Sequence, residues 1–173
     1  HFDAAGTPGA DRAYTALELG PGDTLASALV VSGLGGGSCW LVDAGDFARK
    51  NIDIYQTIAA DLRDRGVPVP DLAGLNNVQE MLTQCQAHYL VNGLAGLQTI
   101  PDGSVDFIWS QAVLEHVRKH DFENTMRELR RVLKPDGACS HRIDLRDHLS
   151  ASLNNLRFSN AVWESHFFAS SGF

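Results

Sequence analysis

Short apolar runs alternate with stretches of helical periodicity along most of this chain, and this alternation limits the folds that are open to it. Strands that alternate with helices indicate a parallel sheet with helical crossovers. Such strands are buried on both faces and read as continuous apolar runs, as they do here. The pattern predicts an α/β fold with a doubly wound, mostly parallel sheet, and its predicted strands are residues 13–18, 39–42, 88–91, 105–109 and 138–145.

Helical periodicity fills the intervals between these strands. The strongest helix is expected to begin behind a cap at Asp121 and to end at the turn residues 134–137. The spacing of its apolar residues predicts a face in the core, made of Phe122, Met126, Leu129 and Leu133. The other predicted helices are residues 25–31, 52–65, 78–86 and 154–173, the last with an aromatic face.

Length, charge and cysteine spacing restrict the class of protein. A chain of 173 residues suits a single domain, and we expect residues 1–12 to form a flexible arm and residues 13–173 to form the domain. The net charge of −7 disfavours nucleic acid or an anionic membrane as a partner. Three scattered cysteines favour a reducing, cytoplasmic location. Residues 24–42 carry no charge, but their central glycines argue against a membrane span.

Polar and glycine residues follow the predicted strands at the edge where a doubly wound sheet binds its ligands. The first strand is followed by a glycine turn, which lets the backbone approach a ligand closely. The second strand is followed by a carboxylate. The sequence therefore predicts a binding site made of Glu18, Leu19, Gly20, Pro21, Gly22, Asp23, Asp43, Ala44, Asn92, Gly93, Leu94, Ser110 and Gln111.

The acidic residues beside the glycine turn restrict the chemistry of the ligand. A dinucleotide fingerprint needs a small residue at the sixth position counted from Gly20, and Leu25 stands there instead. The carboxylate of Glu18 also repels a pyrophosphate at short range. A cationic amino group suits this turn better, and Asp43 is placed to accept hydrogen bonds from a ribose diol. These features predict a nucleoside that carries an amino-acid tail.

Five segments extend this interpretation. They read ALELGPG at 16–22, LVD at 41–43, IPDGSVDFIWS at 100–110, LEHV at 114–117 and RRVLKPDG at 130–137. In this order they resemble motifs of the class I S-adenosylmethionine-dependent methyltransferases, in the small-molecule, type 11-like subgroup. The resemblance covers residues 13–146 and implies a Rossmann-like methyltransferase fold with S-adenosylmethionine as the cofactor.

The resemblance also implies roles for single residues. Residues 20–22 would pass the methionine part of the cofactor, Glu18 would help to hold its amino group, and Asp43 would hold its ribose. Residues 92–94 would lie near the adenine and contact it through backbone, because no acidic residue follows the third strand.

Further implied features concern the far end of the sheet. Ser110 and Gln111 would lie near the methyl-transfer zone. The family's sheet normally ends with an antiparallel strand pair, and no residues follow Phe173 to build it. The sequence is therefore expected to be truncated at its C-terminal end, or covered there by a partner.

Candidate catalytic and substrate residues lie in the second half of the chain. His116 follows a ligand-facing strand end, and imidazole is the side chain that most often serves as a general base, so it is the candidate general base. The polar run after the fifth strand is the candidate substrate pocket for an acidic small molecule, through His141, Arg142, Arg146 and His148. No metal is predicted, because His116 and His120 lack a third ligand at a fixed spacing.

The predicted function is S-adenosylmethionine-dependent methyl transfer to an unidentified small molecule. Two alternatives from other classes stay open: a non-catalytic nucleoside-binding or assembly module, and an NAD(P)-dependent oxidoreductase. The apolar, aromatic face of the last predicted helix predicts a contact with the core or with another subunit. A homodimer that forms through this face would provide such a subunit contact.

Overall fold

The computed structural model describes residues 13–146 and 152–169 of the chain. Over these residues a five-stranded sheet, all parallel, has the order β3-β2-β1-β4-β5. The winding direction reverses between β1 and β4, which makes the sheet doubly wound, as predicted. The strands are β1 Tyr14–Leu19, β2 Gly36–Val42, β3 Ala87–Leu90, β4 Val105–Gln111 and β5 Leu133–Arg142.

Helices cover both faces of the sheet. One core cluster lies beneath α1, α2 and α3, where Leu29, Tyr55 and Met81 are fully buried. The second lies beneath α4 and α5, where Leu97 and Leu129 pack on Leu17 and Ile108. The helices are α1 Ser27–Gly33, α2 Ile52–Asp64, α3 Val78–Gln84, α4 Gly93–Leu97, α5 Lys119–Val132, α6 Asn160–Trp163 and α7 His166–Ala169, with 3-10 turns at Leu114–His116 and Asn154–Arg157.

The start of α5 differs from the prediction. Arg118 is the N-cap residue, and Asp121 lies within the first turn, where a carboxylate interacts favourably with the helix dipole. Leu129 is buried and Met126 packs against the core, but Phe122 is 41% exposed. The prediction of a core position for Phe122 was therefore wrong, because the apolar stripe leaves the sheet at the first turn of the helix.

The start of β5 also differs from the prediction. Residues 134–137 do not separate helix from strand, because β5 follows α5 directly at Leu133. They form an irregularity within the strand: Val105 pairs with Leu133 and Phe107 pairs with Ala138, so β5 has extra residues opposite β4. The proline is tolerated there because such a bulge lacks regular ladder hydrogen bonds.

The C-terminal segment is not one helix. Within the described residues it forms a 3-10 turn and the two short helices α6 and α7. Trp163 stacks on Phe158 and on Phe168, the rings of Phe158 and Phe168 are tilted against each other, and Phe167 is exposed. The homodimer contact through this face stays a prediction. The predicted arm, residues 1–12, lies outside the described residues, as do residues 147–151 and 170–173.

A partly buried ion pair joins the bulge of β5 to the centre of the sheet. Asp106 is 3% exposed, and its Oδ2 accepts hydrogen bonds from the backbone N–H of Thr15 at 2.8 Å and from Lys134 Nζ at 2.7 Å. The carboxylate therefore holds β1, β4 and β5 together. Removing one partner of a buried pair leaves the other charge uncompensated.

We expect Asp106→Asn to lower the free energy of unfolding by about 2–4 kcal/mol, because the charge of Lys134 loses its partner. Urea unfolding followed by circular dichroism measures this change. The matched control is Asp102→Asn, which removes an exposed partner of Arg131 and should cost less than about 1 kcal/mol. Equal losses in the two variants would contradict a structural role for this ion pair.

Candidate functional site

A cavity of about 570 Å³ lies at the carboxyl edge of the sheet, where the loops after β1, β2, β3 and β4 meet. This edge includes the position where the winding direction reverses, which is the place where doubly wound sheets bind ligands. The residues of the predicted binding site that line it are Leu19, Gly20, Gly22, Asp43, Ala44, Gly93 and Leu94, and the candidate base His116 lines it as well.

The glycine turn after β1 requires glycine at Gly20 for two reasons. The backbone there has a φ of +71°, which disfavours any residue with a side chain. A Cβ at this position would also lie 2.4 Å from Val113 Cγ2, across the cavity wall. Gly22 has a φ of +68° with no atom near its Cβ position, so the turn stays open towards the cavity.

Asp43 connects the loops that form the floor of the cavity. Its Oδ2 accepts a hydrogen bond from the Gly22 N–H at 2.9 Å, and its Oδ1 accepts one from Ala44 at 2.7 Å. Its backbone carbonyl accepts from Gly93 at 2.7 Å. The loops after β1, β2 and β3 therefore meet at this single residue. A carboxylate has about four acceptor positions, so positions remain for a ligand's hydroxyl groups.

Glu18 lies on the other side of the sheet edge. Its side chain points to the face covered by α1, where Oε1 accepts a hydrogen bond from Trp109 Nε1 at 3.2 Å and Oε2 is buried without a hydrogen-bond partner. Burial raises the pKa of the Glu18 carboxyl, the polar side chains of Ser27 and Trp109 partly oppose this, and the Asp43 charge adds to it. Glu18 does not line the cavity, and its contact with an amino group stays a prediction.

This raised pKa makes stability depend on pH. Between the ordinary value of 4.5 and the raised native pKa, the folded state binds more protons than the unfolded state. The free energy of unfolding therefore falls as pH rises through that window. We expect Glu18→Gln to be more stable than the wild type at pH 7, with the difference shrinking towards pH 4.

Chemical denaturation at several pH values measures this difference. Glu123→Gln, a change at an exposed pair on α5, is the control and should leave the pH dependence unchanged. A Glu18→Gln variant that is less stable than the wild type at pH 7 would contradict the assignment.

Comparison with known proteins decides the family. The profile of the methyltransferase domain family Methyltransf_11 matches residues 30–140, which is more than half of the chain. The chain belongs to this methyltransferase family. The predicted class I S-adenosylmethionine-dependent family and the Rossmann-like fold are confirmed, and S-adenosylmethionine is the family's cofactor, as predicted.

Solved structures similar to this methyltransferase domain include a SAM-dependent methyltransferase from Aquifex aeolicus, at 17% identity and a TM-score of 0.45 over 77% of this chain. They also include DhpI in a complex with SAM and HEP, at 18% identity and a TM-score of 0.46 over 84% of this chain. The chain spans 57% and 53% of the lengths of these two structures. No functionally curated protein matches the chain significantly.

Several predicted site residues of the methyltransferase domain do not line the cavity. Pro21 and Asp23 lie in the glycine turn, and Asp23 forms an ion pair with Arg49 at 2.8 Å. Asn92 is exposed at the N-cap of α4. Gln111 is exposed at the end of β4. These residues lie at the ends of strands or in the loops around the cavity without lining it.

Ser110 lies on β4, and two of the predicted substrate residues, His141 and Arg142, lie on β5. Ser110 is fully buried, and its Oγ lies 2.8 Å from His141 Nδ1, with which it shares a hydrogen bond. Burial lowers the pKa of His141, so the neutral ring dominates at neutral pH. Arg142 and Arg146 are exposed and do not line the cavity. His148 lies outside the described residues, so the predicted substrate pocket stays a prediction.

Much of the cavity wall consists of residues that were not predicted from the sequence. Ala112 has a φ of +54°, a strained value for a residue with a side chain, and such strain persists where the surrounding structure imposes it. In the end of β4 and the segment after it, site roles were predicted only for Ser110, Gln111 and His116. The additional lining residues are Val42, Phe47, Leu97, Ala112, Val113, Val117, Arg118, Asp121 and Thr125.

Two features are absent from the part of the chain that the structure describes. Within 13–146 and 152–169, His, Cys, Asp and Glu side chains form no group of three or more that could hold a metal ion. In the same part of the chain, no helix has the length and apolar character needed to cross a membrane.

Proposed function

We propose that this domain binds S-adenosylmethionine in the cavity at the carboxyl edge of β1 to β4 and transfers its methyl group to a small-molecule acceptor. The observation that supports this most is the position of Asp43. Its carboxylate holds the open glycine turn through Gly22 and still has acceptor positions for the two hydroxyls of a ribose.

The chemistry of the cavity agrees with this cofactor. A volume of about 570 Å³ is in the range of small-molecule sites. Leu25, where a dinucleotide loop needs a small residue, is fully buried and packs in the core under α1. Asp43 suits the ribose of either kind of cofactor, and Glu18, whose charge was expected to repel a pyrophosphate, does not line the cavity. The size of Leu25 is therefore the feature that argues against an NAD(P)-dependent oxidoreductase.

The cofactor, when bound, supplies an electrophilic methyl group on a positively charged sulfur. The role of the chain is therefore to align the two reactants and to keep water away from them. Leu19, Val42 and Val113 give the cavity apolar walls that serve the second purpose. His116 and Arg118 lie on the same wall beside the first turn of α5. There His116 is placed to take the proton that an acceptor hydroxyl or amine releases.

Calorimetric titration with S-adenosylhomocysteine, with NADH in a parallel titration, tests the proposal. We expect one S-adenosylhomocysteine per chain and no heat from NADH. Tighter binding of NADH would favour the oxidoreductase alternative. Binding of neither compound would favour an assembly module and would overturn the proposed function.

A further inference from the structure

Arg131 connects α5 to the segment that ends α4. Only 26% of its side chain is exposed. Its Nη1 donates a hydrogen bond to the carbonyl of Ile100 at 2.8 Å, and its Nη2 donates one to the carbonyl of Leu97 at 3.0 Å. Its Nε donates to Glu128 Oε2 at 2.7 Å, which fixes the orientation of the guanidinium. One planar cation therefore holds two backbone carbonyls of another element.

The helix α4 needs such a contact because it is too short to be stable by itself. It has five residues, Gly93–Leu97, and its N-cap residue Asn92 makes no capping hydrogen bond through its side chain. A helix of this length is not stable in isolation, so tertiary contacts fix its position. The last carbonyls of a helix also lack partners within it, and a cationic side chain suits this end. The carbonyls that Arg131 holds belong to this end of α4.

The same helix is fixed at both of its ends beside the candidate cavity. At its first residue, the N–H of Gly93 donates to the carbonyl of Asp43 at 2.7 Å. At its last residue, Leu97 is fully buried and its carbonyl accepts from Arg131. Gly93, Leu94 and Leu97 line the cavity, and we call them the α4 wall. Arg131 does not line the cavity, so it can affect a ligand only through this wall.

Arg131 also links the α4 wall to α5 and to the turn before β4. The first half of α5 contributes Asp121 and Thr125 to the cavity. The guanidinium of Arg131 pairs with Asp102, and the Arg131 carbonyl accepts a hydrogen bond from the Gly103 N–H at 2.9 Å. This one residue therefore joins the two helices that line the cavity and the turn that leads into β4.

We propose that Arg131 is a positioning residue for the candidate cofactor cavity, and that it keeps the α4 wall in the position that binds the ligand. This inference rests on the proposed function, and it assigns part of the affinity to a residue that does not touch the ligand. When a binding-competent arrangement is populated only part of the time, the apparent affinity falls by that fraction. Hydrogen bonds from a charged donor are strong enough for their loss to change this population.

Calorimetric titration with S-adenosylhomocysteine tests this role in the wild type, Arg131→Ala and Arg131→Lys. We expect Arg131→Ala to weaken binding by about tenfold. Arg131→Lys should fall between the other two, because an ammonium keeps the charge but lacks the planar fork that reaches both carbonyls. Full affinity in Arg131→Lys would overturn the role of the fork.

Two control variants separate positioning from other effects. Arg130→Ala removes a neighbouring charge on the same helix, where Arg130 is exposed and outside the cavity, and it should bind as the wild type does. Asp106→Asn is expected to lower stability, but Asp106 does not line the cavity. It should therefore keep its affinity under conditions in which all the variants are folded. Equal weakening in Asp106→Asn and Arg131→Ala would assign the loss to instability and overturn the inference.

Hydrogen exchange gives a readout of the α4 wall itself. In the ligand-free protein, Arg131→Ala should exchange faster than the wild type in residues 93–100, and S-adenosylhomocysteine should restore part of the protection. Arg130→Ala should exchange there as the wild type does. Unchanged exchange of this segment in Arg131→Ala would overturn the positioning role.

The outcomes separate this inference from the proposed function. Unchanged affinity in Arg131→Ala while the wild type binds would overturn the positioning role and leave the function standing. Failure of the wild type to bind S-adenosylhomocysteine would overturn the proposed function and the inference together.

Discussion

Replacing Gly20 with alanine is expected to lower the free energy of unfolding by about 2–5 kcal/mol and to weaken S-adenosylhomocysteine binding by more than tenfold. The left-handed backbone contributes about 1–2 kcal/mol of this cost. The new Cβ, 2.4 Å from Val113 Cγ2, contributes a further 1–3 kcal/mol, roughly, through overpacking. The glycine turn would move, and with it the cavity wall. Urea unfolding and calorimetry measure the two effects.

Two further variants isolate the cause. Gly35 has a φ of +84° with no atom within 4 Å of its Cβ position, so Gly35→Ala carries the backbone strain without the collision and should cost only about 1–2 kcal/mol. Adding Val113→Ala to Gly20→Ala should recover the part of the stability that the collision removed. If Gly20→Ala and Gly35→Ala cost the same, the close approach of Val113 has no energetic consequence.

Replacing Asp43 with alanine is expected to reduce S-adenosylhomocysteine affinity by at least tenfold, about 1.4 kcal/mol. The variant should also lose about 2–4 kcal/mol of stability, because the N–H groups of Gly22 and Ala44 lose their buried acceptor. Asp43→Asn keeps one acceptor oxygen but turns an amide donor towards the other N–H group. It should therefore fall between the wild type and Asp43→Ala in stability.

Asp46 provides a control within the same loop. Its carboxylate pairs with Lys50 at the surface and does not line the cavity. Asp46→Ala should leave affinity unchanged and stability within about 1 kcal/mol of the wild type. An Asp43→Ala variant that binds S-adenosylhomocysteine as the wild type does would place the site elsewhere on the molecule.

The sheet was predictable from sequence because its strands are buried on both faces. Continuous apolar runs, such as residues 107–109 in β4, leave few alternatives to a parallel sheet. Boundaries were less predictable. The turn residues before β5 have the composition of a helix stop, but in the structure they form a bulge in which Lys134 reaches Asp106. The bulge depends on the pairing of β5 with β4, which carries Asp106, and this pairing cannot be read from residues 134–137 alone.

Within the candidate site, the sequence indicated those residues whose type is characteristic of ligand sites at strand ends, namely glycine and aspartate. Gly20, Gly22 and Asp43 stand at strand ends and line the cavity, and their contacts with a cofactor stay predictions. Phe47 and Ala112 were missed because neither residue type suggests a site. Their importance comes from exposure and from an unusual φ, which tertiary contacts impose. Glu18 shows the converse, since its period-2 position in β1 turns it away from the cavity.

The pairing of β1 with β4 in the middle of the sheet joins parts of the chain that are far apart in sequence. The hydrogen bond from Thr15 to Asp106 spans 91 residues, and β1 cannot pair with β4 until the polypeptide beyond that point is available. Contacts of such long range slow folding, because the entropy of closing the loop is lost before they form. During synthesis, β1 therefore emerges with one unpaired side, and this edge is the place where a chaperone or another nascent chain would associate.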